Sequence, residues 1–473
     1  MAELTSTEAL ALLIFLGLPC VAIWVAARWL MPASLPGAAA MHTGVALVFG
    51  PLLAASALWS ANALGLPLSP FAAMSGLALV AILLLIPAWL FGHRQLSFST
   101  QQAASTTDAN LFSPRLDRLL FAILLAVIIL RLASLLPDLL LRPVFPWDAW
   151  KTWVWKARAW FEAGELFFFV SAREWLTTPA QTQTIEGTNH PDTVSLLILW
   201  SAIALGRWDD SLLGLPWMLC TIGMTLCIYG ALRQQRLPPL LALTAVYLPL
   251  SLPMIATHTA LYGYADLWMT GLFATLVAGL LSWHNGDRLG GLVLISASLV
   301  TMGFIKDTGS YWIPVVIAGL LAITMPNRWL IRAAAAAAVG GLVILILGVD
   351  PIALITQGRF RLEPRPQAAV WSGMARHLFI YLDWHLLGYL LPLMLAAAAW
   401  TATKTETARS LLILLLATLS SLLLAFALTR AGEYAIIGTL FSRMFMHLIP
   451  IISVLTALSI WEWRLTIRSK ATQ

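Results

Sequence analysis

Five short polar motifs interrupt an apolar chain, and each carries a side chain that handles protons or anions. Phe145-Pro146-Trp147-Asp148-Ala149-Trp150 sets a carboxylate among aromatic rings. His190-Pro191-Asp192 joins an imidazole to an acid, and Gly263-Tyr264-Ala265-Asp266 joins a phenol to one. Lys306-Asp307-Thr308-Gly309 and Ser442-Arg443-Met444-Phe445-Met446-His447 supply cations. A carboxylate at a water–lipid boundary can have its pKa tuned by partial burial and act as a general base. Asp148 is the candidate for that role. His190, Asp192, Tyr264, Asp266, Lys306, Asp307 and Arg443 are the candidates for holding a substrate. Each motif also has a plainer reading. Asp148, Asp192 and Asp266 stand where helices would begin and can serve as caps or dipole partners. Lys306 and Asp307 can pair across a hairpin, and Arg443 can extend to lipid headgroups.

These motifs must be positioned by membrane helices. Of the 473 residues, 60% are apolar and 11% charged, with a mean hydropathy of +0.84. Soluble domains carry about 25% charged residues, so a soluble globular enzyme is excluded. The 22 tryptophans suit a polytopic protein with aromatic belts. The net charge of +6 is dispersed between apolar runs. No basic stripe of phosphate-binding density is present, so nucleic acid is not an expected partner. Cys20, Cys220 and Cys227 lie inside apolar runs and read as packing residues.

A helical span needs about 20 apolar residues. Thirteen runs qualify: 8–28, 42–61, 71–91, 117–137, 211–231, 238–257, 265–283, 289–305, 310–325, 329–349, 377–400, 409–428 and 443–463. The run 193–206 is shorter and flanked by charge. If it does not span, one face collects fourteen basic residues from Arg28 to Lys470, against Lys306, Arg430 and Arg443 in short loops opposite. If it spans, that bias breaks after residue 206. The positive-inside rule therefore selects the first option. The acidic start (Glu3, Glu8) lacks a signal peptide's basic region, so the first run reads as a retained span with an outside amino terminus.

The expected architecture is an all-α polytopic membrane protein with about 13 transmembrane helices and large outer segments at 138–210 and 350–376. At 100° per residue, Trp147–Glu162 forms an amphipathic helix. Trp147, Trp150, Trp153, Val154, Ala157, Trp160 and Phe161 share one arc, and Asp148, Lys151, Thr152, Lys156, Arg158 and Glu162 face the other way. Such a helix lies in the membrane interface, and Gly164 is its C-cap. The run 193–206 reads as a second helix lying along or dipping into the membrane. On this topology the candidate residues fall on the outer face, where ionisable groups at membrane depth point to function.

The order Trp-Asp-Ala-Trp, His-Pro-Asp, Gly-Tyr-Ala-Asp, Lys-Asp-Thr-Gly and a late Arg before an apolar span resembles the GT-C glycosyltransferase superfamily. It is most similar to bacterial relatives of the protein O-mannosyltransferases and the lipid A aminoarabinose transferases. The resemblance covers 117–463. It leaves 1–116 as three additional helices and a cytoplasmic loop, and 464–473 as a cytoplasmic tail. It implies that Asp148 matches the catalytic acid of a first large outer loop. His190, Asp192, Asp266 and Lys306 match further motif positions. Asp307 and Thr308 stand where the family's Lys-Asn-Glu-Gly pattern has Asn and Glu.

The resemblance implies an inverting glycosyltransferase of the bacterial inner membrane with its site facing the periplasm. The donor would be a polyprenyl-phosphate sugar and the acceptor an extracytoplasmic lipid, glycan or protein. Arg443 and Lys306, with Arg359, Arg361 and Arg365 in reserve, would meet the lipid phosphate. No cofactor is required by these residues, although the acids could hold a divalent metal. The alternative is a transporter or flippase of a lipid-linked or anionic envelope substrate. Cysteines placed at Asp209 and His258 are expected to react with a membrane-impermeant thiol reagent added from outside. Reaction from the cytoplasmic side alone overturns the topology.

Overall fold

A computed structural model describes residues 4–92, 110–177, 183–188, 190–326, 363 and 365–471, with isolated positions between 328 and 346. The described residues are predominantly helical with almost no sheet, and the chain divides into two compact units, Met1–Ser251 with Ile255–Ser310, and Leu252–Met254 with Tyr311–Gln473. Among the described residues nine helices are long and apolar enough to cross a membrane, or ten if one bent pair counts as a span. Most of the run 329–349 lies outside the described residues, as do Arg359 and Arg361.

The first unit opens with three long helices, α1 (Ser6–Leu30), α2 (Ala38–Ala63) and α3 (Pro70–Gly92), followed by α4 (Pro114–Leu141). Thr5 and Glu8 form a capping box on α1, and Ser113 accepts from the Leu116 N–H to start α4. A π-helical turn at Ala149–Trp153 leads into α5 (Val154–Ala163), which Gly164 ends in the left-handed conformation (φ 73°). The loop beyond holds a parallel pair, β1 (Phe169–Val170) and β2 (Gln183–Thr184), and the single turn α6 (Ala172–Trp175).

Next comes α7 (Thr193–Leu205), whose thirteen residues rise roughly 20 Å, short of a bilayer core of about 30 Å. It does not lie along a surface. Every residue from Val194 to Leu205 is buried, and α1, α2, α3 and α5 pack around it. Its apolar character on all sides is that of a helix enclosed by protein. Trp200 shows the fit: its Nε1 donates to the Phe15 carbonyl of α1 at 2.8 Å, and the two rings lie 5.2 Å apart.

The unit continues with α8 (Leu215–Gln234), α9 (Pro239–Ser251), α10 (Pro253–Ala260), α11 (Asp266–His284) and α12 (Arg288–Ile305). α9 and α10 share the run 238–257 but bend by 69° at Leu252. Pro253 lacks the N–H that would continue the ladder. α11 packs between α8 and α12, and nearly all of its residues are buried. α13 (Asp307–Thr324) follows after one extended residue, Lys306, and carries the chain into the second unit.

The second unit contains α14 (Ala369–Phe379), α15 (Leu387–Ala402), α16 (Glu406–Leu428), α17 (Ala431–Ile436), α18 (Phe441–Met446) and α19 (Ile449–Ala471). The run 377–400 is thus interrupted between α14 and α15, where Leu382 and His385 adopt positive φ. The run 443–463 breaks just before Pro450, between α18 and α19. α15, α16 and α19 pack side by side. Trp200→Ala in α7 is expected to cost about 3–5 kcal/mol, the range for emptying a buried aromatic site, read as a lowered unfolding temperature in detergent.

Candidate functional site

Four of the five motifs meet in the first unit, and the backbone brings them together first. Gly263 has φ +96°, and a β-carbon there would stand 2.5 Å from the Ala149 side chain. Only glycine allows the turn before α11 to close against the start of the π turn. The Trp-Asp-Ala-Trp and Gly-Tyr-Ala-Asp motifs are therefore neighbours. Tyr262 anchors that turn: its buried hydroxyl donates to the Asp210 carbonyl at 2.5 Å. Burial, with Asp210 and Asp209 nearby, pushes this phenol well above its usual range, so it remains a neutral donor. Trp217 Nε1 donates to the Tyr264 carbonyl at 2.9 Å, and the Tyr264 ring lies 4.8 Å from His258.

Ion pairs then stitch the motifs. Lys306 Nζ donates to both oxygens of Asp266 at 2.9 and 3.1 Å. Both side chains are almost wholly buried, Asp266 at 0% and Lys306 at 7% exposed. Lys306 thus pairs across 40 residues and not with the adjacent Asp307. Asp307, first residue of α13, instead approaches His190, with Oδ2 2.9 Å from Nδ1, a close contact that is not aligned as a hydrogen bond. Two residues on, Asp192 accepts from Lys156 of α5 at 2.7 Å, and the same ammonium donates to the His190 carbonyl at 3.2 Å. The order is acid, base, acid, base, acid, base: Asp266, Lys306, Asp307, His190, Asp192, Lys156.

Lys156 and its neighbours escaped the sequence reading. The helical wheel placed Trp147, Trp150, Trp153 and Trp160 on one arc and Thr152 and Lys156 on the other. In the structure Trp147, Trp150 and Trp155 are exposed, whereas Ala149, Thr152, Trp153, Lys156, Ala157 and Trp160 are buried. The π turn is the reason. It spends more residues per turn than an α-helix, so one 100° wheel cannot describe both sides of it. Trp153 then lies 5.4 Å from the His190 ring, and Thr152 Oγ1 donates to the Glu186 carbonyl at 3.3 Å. Gly187, with φ +76°, sits so close to His190 that a β-carbon would stand 2.9 Å from the ring. Lys151 pairs with the exposed Glu186 and stands 5.1 Å over the Trp147 ring.

The acids do not act as the helix caps that their positions suggest. Neither Asp148, before the π turn, nor Asp192, before α7, makes a side-chain capping bond. Asp148 is half-buried. Among the described residues no group of three or more His, Cys, Asp or Glu is disposed to hold a metal ion.

Arg443 belongs to the second unit, half-buried in α18. Beside it Ser442 donates to Asp383 at 2.7 Å and lies 3.0 Å from His377 Nδ1. His377 and Asp383 were not among the sequence candidates, because neither sits in a recognisable motif. Arg365 pairs with Glu433, which also approaches Arg430. Comparison with protein-family models, curated proteins and solved structures finds no match.

Asp266→Asn is expected to destabilise the chain by about 3–5 kcal/mol, because a buried ammonium loses its counter-charge. Combining it with Lys306→Met is expected to recover much of that loss. Thermal unfolding of the single and double variants in detergent checks both.

Proposed function

We propose that the chain is an inverting glycosyltransferase of the cell envelope, moving a sugar from a polyprenyl-phosphate donor to an acceptor outside the membrane. The observation that carries this reading is the meeting of four separate motifs in one unit, joined by alternating acids and bases beside the half-buried Asp148. Asp148 is the general base. It takes the proton of the acceptor hydroxyl as that oxygen bonds to the anomeric carbon, and the bond from that carbon to the phosphate oxygen breaks. The polyprenyl phosphate leaves with the electron pair.

Asp266 and Lys306, being buried in each other, are positioning groups that hold the turns on either side of α11 and α12. His190 and Asp192, each partly exposed, are the groups suited to sugar or acceptor hydroxyls. Tyr264 and Asp307 border the same place. Lys151 is the cation of this unit from which a phosphate contact is drawn. Lys151 is more accessible than Lys306, with 23% of its side chain exposed against 7%. The resemblance to GT-C enzymes, an inner-membrane location and an outward-facing site belong to the same proposal.

One observation favours a transporter or flippase instead. The 69° break between α9 and α10 is the kind of discontinuous helix found at transport sites. Against that, Asp266 and Asp307 open α11 and α13 rather than interrupting a span.

Transfer of labelled sugar from polyprenyl phosphate in proteoliposomes tests the proposal. Asp148→Asn is expected to lose 10²–10⁴-fold of turnover, the scale of general-base catalysis, while still binding donor. Lys151→Ala is expected to weaken donor binding as well. Full turnover by Asp148→Asn removes it as the base. A wild-type protein that moves lipid-linked sugar across the bilayer without transferring it selects the transporter.

A further inference from the structure

A groove of about 150 Å³ opens between α1, α2, α3 and α12, away from the site described above. Its lining is apolar throughout, and Ile23, Leu30, Leu84 and Val293 at its rim are partly exposed. All four helices are long and apolar enough to cross a membrane, so the rim faces lipid and not water. Ordered water needs polar partners that these walls do not offer. Hydrocarbon suits them.

A polar group is buried beside one end of the groove, behind Gly290 and Met31. Asp287 caps α12, its Oδ1 accepting from the Gly290 N–H at 3.0 Å. Its other oxygen, Oδ2, is buried and has no hydrogen-bond partner, and the residue is only 8% exposed. Oδ2 lies 2.2 Å from where a β-carbon on Gly290 would sit, with Met31 Cγ 2.9 Å from the same point. Gly290 and Met31 both line the groove. Burial raises the Asp287 carboxyl to about 6, the Gly290 bond opposing the rise, so the group is mostly an anion at neutral pH. A buried carboxylate oxygen without a donor is costly.

The geometry points to a structural lipid seat: one acyl chain of a primary-amine phospholipid fills the groove, and its ammonium donates to Asp287 Oδ2. The exposed Arg288, next in the chain, stands ready for the lipid phosphate. A quaternary ammonium cannot donate a hydrogen bond, and a glycerol headgroup brings no positive charge to the acid. The headgroup therefore decides occupancy.

The test titrates the delipidated full chain in detergent with phosphatidylethanolamine, phosphatidylcholine and phosphatidylglycerol of identical acyl chains, read by native mass spectrometry. Phosphatidylethanolamine is expected to be retained about tenfold more tightly than the other two, the scale of one hydrogen bond to a charged group. Asp287→Asn keeps the capping oxygen and is expected to reduce phosphatidylethanolamine to the level of phosphatidylcholine. Ala297→Phe, at the groove wall, is expected to weaken retention of all three. Equal retention of the three lipids by the wild type, or a preference for phosphatidylglycerol, overturns the proposal. So does undiminished phosphatidylethanolamine retention by Asp287→Asn. If that variant does not fold, the wild-type headgroup comparison decides alone.

Discussion

The buried pair of Lys306 and Asp266 is the constraint on which the arrangement of the first unit depends. Taking either charge out of water alone costs several kcal/mol, and only close, two-oxygen contact offsets it. The start of α11 must therefore meet the turn between α12 and α13. Once it does, Asp307 is held beside that turn and faces His190, whose neighbour Asp192 draws in Lys156. The charges also differ in exposure. Asp266, Lys306 and Lys156 are nearly sealed, whereas His190 and Asp307 are about a third exposed and Asp192 is 41% exposed. The costly part of the network lies deepest, where protein rather than water must complete every contact.

On the proposed function, that gradient separates structural from chemical duty. Groups at the sealed end cannot greet a substrate without first exchanging partners. Groups at the open end can. Asp148 sits at neither extreme, close to the Gly263 turn but spared from capping the helix it precedes. A carboxylate in that intermediate setting retains access to water while the residue after it packs against the Gly263 turn. This is the division of labour that preorganised sites require, in which positioning groups are locked and reacting groups are reachable.

Much of this was legible in the sequence, and the exceptions have definite causes. Membrane helices announced themselves through unbroken apolar runs, and the ends of α1, α2, α3, α11 and α12 fall within a few residues of those runs. The polar motifs were legible because ionisable residues are conspicuous against such a background. Their pairing was not. Lys306 next to Asp307 looks like a local pair, and only the packing of α11 on α12 shows that each residue looks elsewhere. Lys156 was assigned to the wrong face because a π turn leaves no simple mark in composition. α7 was read as a helix lying along or dipping into the membrane, since nothing in its own residues distinguishes burial in lipid from burial in protein.

The enclosure of α7 bears on how the chain is made. Its berth is built chiefly by α1, α2 and α5, all of which precede it in the sequence, with smaller contributions from α3 and the later α12. As the ribosome delivers residues 193–205, the main walls that will receive them have already emerged. An apolar segment too short to rest across the bilayer thus need not wait, unprotected, for later partners, which is when such segments are prone to misassembly. The three leading helices, silent in any account of chemistry, act in this view as an internal chaperone, a scaffold synthesised ahead of the piece that cannot stand without it.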